Sequence, residues 1–159
     1  MKNVEGKIVL IDDEPYEEEF LERALKNKGW DITIEYFNDA DDAIEHLKMN
    51  ADEIFLIISD MGMPKKSGMD LKKIIDEDPY LSQKSIPFIF ITHVISREKI
   101  IEAYKLHAQG YFQKPMTPGE QEKLFETIIQ YWITCLHPMK DDLPENPNLA
   151  HTEQKKGQL

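Results

Sequence analysis

The chain has 159 residues and a mass of 18.6 kDa, the size of one ordinary domain. Its 19 Lys and Arg against 30 Asp and Glu leave a formal charge of −11, which opposes direct binding to phosphate backbones. A single cysteine, Cys135, excludes an internal disulfide, and no apolar run reaches the roughly 18 residues of a membrane span. The expectation is an acidic cytoplasmic protein with neither nucleic acid nor membrane as partner. Residues 1–6 carry no apolar segment of the kind that precedes a secretory cleavage site.

In chain order, residues 7–11 form an apolar, β-branched run that stops at Asp12-Asp13-Glu14. Such a run reads as a strand buried on both faces, as in a parallel sheet. Pro15 suits the first turn of a helix, Phe20, Leu21, Ala24 and Leu25 recur at helical spacing, and Gly29 ends it. The acidic run Glu17-Glu18-Glu19 reads as a solvated face of that helix. Ile32, Ile34 and Tyr36-Phe37 give a second strand. Asn38 or Asp39 then caps a helix whose Ala40, Ala43, Ile44 and Leu47 share one face. Residues 54–58 are a third buried strand ending at Ser59-Asp60, followed by a helix through Met69, Leu71, Ile74 and Ile75. The segment 77–86 is a long connection in which Pro79-Tyr80-Leu81 packs as an extra turn. Residues 87–91 form a fourth strand ending at Thr92, and Ser96 caps a helix with Ile100, Ile101, Tyr104 and Leu106. Tyr111-Phe112 is a short fifth strand ending at Lys114-Pro115, and the last helix runs from about Pro118 to about Leu136.

Five strands alternating with five helices imply βαβ units and right-handed crossovers. The expected fold is α/β, a doubly wound five-stranded parallel sheet with helices on both faces. From residue 138 the chain turns polar and proline-bearing. The expected organisation is therefore a domain over 1–137 and a polar tail over 138–159, with no output domain.

In such a sheet the ligand site lies beyond the carboxyl ends of the strands. Asp12 and Asp13 end the first strand, Asp60 the third, Thr92 the fourth and Lys114 the fifth. Three carboxylates within about 4 Å repel by roughly 4 kcal/mol per pair at an effective dielectric of 20, which a divalent cation relieves. Hard oxygen ligands favour magnesium, whose affinity for phosphate oxygens points to a phosphoryl group. Asp60 is then a candidate nucleophile, with Lys114 and Thr92 stabilising the transferred group.

The acidic pair Asp12-Asp13, Asp60 followed by Met63-Pro64 and Gly68, Thr92, Tyr111 and Lys114-Pro115 resemble the receiver domain of two-component response regulators. The resemblance covers residues 7 to about 136. It implies the flavodoxin-like strand order 2-1-3-4-5. It implies Asp60 as phosphoacceptor and Asp12, Asp13, Asp60 and the Gly62 carbonyl as the Mg2+ set. Lys114 pairs with the acceptor or the phosphoryl group, and Thr92 and Tyr111 form the switch. The implied partners are a sensor histidine kinase or a histidine phosphotransfer protein. Readout, including a homodimer, falls on the fourth helix, fifth strand and fifth helix of this reading, where Tyr104, Tyr131 and Trp132 are the exposed apolar candidates. More narrowly, residues 76–87, the run Ala103-Tyr104-Lys105-Leu106-His107 and Ile128-x-x-x-Trp132 resemble stand-alone receivers, those of bacterial phytochrome kinases among them.

One departure stands out. The residue after the switch threonine, usually small in the family, is His93. The remaining histidines, 46, 107, 137 and 151, lack metal-ligand spacing and read as surface or packing residues, as Cys135 does. Gly62 stands where a dehalogenase-type phosphatase needs its second acid, and Asp12-Asp13-Glu14 would repel a flavin phosphate. The implied activity is thus a signalling phosphoacceptor rather than an enzyme. The alternative is a receiver-like interaction module that works without phosphorylation.

Overall fold

In the computed structural model, residues 1–139 are described. Five strands, β1 (Lys2–Ile11), β2 (Trp30–Phe37), β3 (Ile54–Asp60), β4 (Phe88–Thr92) and β5 (Gly110–Gln113), form one sheet. All pairings are parallel and the order is 2-1-3-4-5, as expected. The helices are α1 (Tyr16–Lys28), α2 (Ala40–Asn50), α3 (Gly68–Glu77), α4 (Pro79–Lys84), α5 (Arg97–Lys105) and α6 (Pro118–Thr134). A 3-10 turn, Ala51–Glu53, leads into β3.

Strand alternation divides the core. Val9, Ile11, Ile57, Phe88 and Phe90 face the layer of α2 to α5. Ile8, Leu10, Ile58, Ile89 and Ile91 face α1 and α6, where Leu21, Phe125 and Ile129 are buried. Every residue of β3 and β4 is buried, which fixes the register of the strands that carry Asp60 and Thr92.

Helix ends follow the residues that mark them. Asp39 accepts a hydrogen bond from the Asp42 amide at 2.9 Å and caps α2. Ser67 and Asp70 close a reciprocal capping box on α3. Gly29 adopts φ 65° and ends α1.

Three expectations need correction. The extra turn in 77–86 is a sixth helix, α4. Asp78 accepts from the Tyr80 and Leu81 amides, Pro79 occupies the first turn, and Leu81 is buried. With α4 counted, the fourth and fifth helices of the sequence reading are α5 and α6. There Tyr104 and Tyr131 are exposed, but Trp132 is half-buried, packed edge-on against Tyr131 and against His137. Finally, β1 begins at Lys2 rather than Lys7. Its first residues pair only with β2, and the register shifts between Asn3 and Lys7, around Gly6 at φ 94°. A Cβ on Gly6 would meet the Phe55 Cβ at 2.9 Å and Met139 at 3.1 Å.

His137 is a packing residue, as read. It is buried, and its Nε2 lies 2.6 Å from the Phe55 carbonyl, which accepts from it. His46 is half-buried and pairs with Glu35, and His107 is exposed on the surface. Packed chain continues through Met139, which rests on the α1–α6 layer. The remainder of the expected tail, with His151, lies outside the described residues.

Candidate functional site

The site sits where the β1, β3, β4 and β5 chains leave the sheet. Burial separates its two roles. Asp12, Asp60, Thr92 and Lys114 are buried, whereas Asp13 is exposed. One carboxylate oxygen from each of Asp12, Asp13 and Asp60 lies within 4.8 Å of the others. Oxygen donors of this kind, converging at a partly open rim, fit a small hard divalent cation.

The backbone aims each group. The Asp12 Oδ1 accepts from the Glu14 amide at 2.9 Å, and its carbonyl accepts from the Tyr36 hydroxyl at 2.6 Å. The Asp60 Oδ1 accepts from the Gly62 amide at 3.2 Å. Beneath this loop the Gly68 amide donates to the Met61 carbonyl, and a Cβ at Gly68 would stand 2.2 Å from the Asp60 carbonyl oxygen. Gly62, by contrast, has open space where a Cβ would go. Met61, Met63 and Met69 are buried around the loop.

Lys114 is the cation of the site. Its amide donates to the Thr92 carbonyl at 2.7 Å, which ties the ends of β4 and β5. Its Nζ lies 2.7 Å from Asp12, 3.0 Å from Glu14, and 3.7 Å from both Glu17 and Asp60. Burial alone would lower the ammonium, but Asp12, Asp60 and Glu17 more than offset it and hold it raised. Burial pushes the Asp12 carboxyl up to about 7 against the pull of Lys114, and raises Asp60 in the same way.

Glu17 corrects the sequence reading. Of the three glutamates expected on a solvated face, Glu17 is fully buried, and its Oε2 accepts from the Gln121 amide of α6. The signal was in the spacing, because position 17 precedes Leu21 and Ala24 on the apolar stripe of α1. His93 is exposed, and its Nε2 lies 3.1 Å from the Glu14 carboxylate that also holds Lys114. The Thr92 hydroxyl accepts only a long bond from the Val94 amide, at 3.4 Å. Among the described residues the buried Tyr111 hydroxyl has no hydrogen-bond partner, and its ring lies 6.2 Å from that of Phe90.

Raised carboxyls have a consequence for stability. A buried Asp12 binds its proton more tightly than the unfolded chain does, so the folded state holds more protons between about pH 4 and 7. Stability contributed by the neutral form is complete below pH 4 and falls as pH rises to about 7. In the presence of a chelator, melting temperature is expected to fall across this window. Asp12→Asn is expected to flatten the slope by about one proton, or about 1.4 kcal/mol per pH unit. Thermal melts from pH 4.5 to 8 check this, and parallel slopes would contradict it.

Residues 8–128 match the response regulator receiver domain family. The chain belongs to that family. The chemotaxis protein CheY-3 of Vibrio cholerae serotype O1 is 32% identical over 129 residues, covering 80% of this chain and 95% of that protein. The phosphorylated cyanobacterial phytochrome response regulator RcpA superposes with a TM-score of 0.77 at 25% identity, covering 85% of this chain and 99% of that one. The Mn2+-bound response regulator Rcp1 shares the fold, with a TM-score of 0.70 at 23% identity over 82% of this chain and 96% of that one. Among the described residues no helix is long and apolar enough to cross a membrane.

Proposed function

We propose that this receiver takes a phosphoryl group onto Asp60 from a histidine kinase or a histidine phosphotransfer protein. The observation that carries the reading is the approach of the Asp12, Asp13 and Asp60 carboxylates to within 4.8 Å of one another, with the Lys114 ammonium 3.7 Å from Asp60. An oxygen of Asp60 forms the bond to phosphorus while the nitrogen–phosphorus bond of the donor phosphohistidine breaks, and the departing imidazole regains a proton. Asp12, Asp13 and Asp60 are the side chains that would hold Mg2+, with the Gly62 carbonyl as a further ligand. Mg2+ supplies positive charge to the phosphoryl oxygens. Lys114 neutralises the charge that remains, and the Thr92 hydroxyl donates to the transferred group.

Thr92 and Tyr111 serve as the switch in this reading. A buried hydroxyl without a partner costs about 1–3 kcal/mol, so Tyr111 gains from any rearrangement that gives it one. Readout falls on the face of α5, β5 and α6, where Tyr104 and Tyr131 are exposed, through a partner protein or a second copy of the chain. In this reading the protein acts in the cytoplasm, with residues 1–137 as the phosphoacceptor domain. Its chemistry in this reading is its own phosphorylation and dephosphorylation.

The test is intact-mass analysis after incubation with a small-molecule phosphodonor and magnesium. A single phosphoryl adduct is expected on the wild type and none on Asp60→Asn. Folded wild type without an adduct would favour the phosphorylation-independent module, and His93→Ala would then show whether the imidazole alone excluded the donor.

A further inference from the structure

Two carboxylates beside Lys114, Glu14 and Glu17, have no part in the chemistry above. Glu14 is partly exposed and shared with His93. Glu17 is different. It is fully buried, and among the described residues its Oε1 accepts no hydrogen bond and its Oε2 has only the neutral Gln121 amide. Lys114, 3.7 Å from that Oε1, is the cation that balances it. The lysine is drawn the same way by Asp12 at 2.7 Å and Glu14 at 3.0 Å, all three acids lying between the end of β1 and the first turn of α1. Its distance to Asp60 is 3.7 Å, longer than a hydrogen bond.

We propose that Glu17 is a positioning residue that anchors the Lys114 ammonium on the α1 side of the site and so opposes its transfer to a phosphoryl group on Asp60. This rests on the reading of Asp60 as the acceptor. Each step of the Lys114 ammonium toward a phosphoryl oxygen on Asp60 takes it away from the position in which it compensates Glu17. A buried charge that loses its partner is costly, and the Gln121 amide brings no charge to replace it. That cost is charged only to the phosphorylated state. Glu17 therefore lowers the occupancy of that state without touching the phosphoryl group.

The test uses the full chain at saturating magnesium, with beryllofluoride as the phosphoryl mimic and bound fluorine read by NMR. Glu17→Gln keeps the hydrogen-bonding shape and removes the charge. It is expected to bind beryllofluoride about tenfold more tightly, the scale of one unit charge several ångströms away at an effective dielectric of 20 after partial screening. A merely structural role predicts the opposite sign, because loosening the α1–α6 contact weakens binding. In a Lys114→Met background the gain from Glu17→Gln is expected to vanish, because the effect runs through the lysine. Thermal melts establish folding, and Glu17→Met offers a second charge-free side chain should the amide pack badly. Equal or weaker binding in folded charge-free variants overturns the proposal, as does a full gain without Lys114. Wild type that takes up no beryllofluoride overturns the acceptor reading itself, a distinct result.

Discussion

Lys114→Met is expected to lower the rate of phosphoryl uptake by two to three orders of magnitude. Among the described residues the lysine is the one ammonium within 4 Å of Asp60, and removing a single preorganised charge-stabilising donor costs about 10²- to 10³-fold in comparable sites. Stability is expected to fall as well. Asp12, Glu17 and Asp60 are buried, and without Lys114 they repel one another unless protonated. Breaking a buried ion pair by removing one partner costs about 3–5 kcal/mol. For a chain of this size that corresponds to roughly 10 °C in melting temperature. The loss is expected to shrink at pH 5.5, where the Asp12 carboxyl takes up its proton, and to shrink again when magnesium is added at pH 7.5. Adduct growth followed by mass, with melts at the two pH values, checks both parts. An unchanged rate would remove Lys114 from the chemistry.

Gly68→Ala is expected to damage the same site from below. Its added Cβ would stand 2.2 Å from the Asp60 carbonyl oxygen and 3.1 Å from the Phe90 ring. A backbone oxygen at the end of a fully buried strand has nowhere to go, so the start of α3 or the Asp60 loop must shift. Overpacking of this sort costs about 3 kcal/mol, and a displacement of even 1 Å in a reacting group costs about 10²-fold in rate. The comparison lies within the same loop, because Gly62→Ala meets nothing within 4 Å and is expected to leave the melting temperature unchanged. Equal melting temperatures for both alanine variants would show that the loop relaxes freely.

Much of this site was legible before any coordinates. Buried β-branched runs stop where polar residues begin, so the strand ends, and with them Asp12, Asp60, Thr92 and Lys114, could be read directly. Sheet order followed from alternation with helices together with the family resemblance. Glu17 was missed because three consecutive glutamates look solvated, although the helical period put the first of them on the buried stripe with Leu21 and Ala24. The first residues of β1 were missed for a related reason. Lys2, Asn3 and Glu5 are exposed and only Val4 faces the core, so no apolar run announces the strand. Helix α4 was compressed to a turn because its six residues bury only Leu81, and its start depends on an aspartate cap that composition does not single out. The resemblance counts Trp132 as exposed because the family's readout face includes the last helix, whereas helical spacing sets it with the buried Phe125, Ile128 and Ile129, and the His137 side chain packs across it.

That histidine also separates the molecule into two ends. It fastens the segment after α6 to Phe55, near the start of β3, while Asp60 closes the other end of the same strand. Five residues at about 3.3 Å each put roughly 17 Å between them. A dye or surface tether attached at Met139 therefore starts at the rear of the sheet. It leaves the rim that carries Asp60 on the side away from the support.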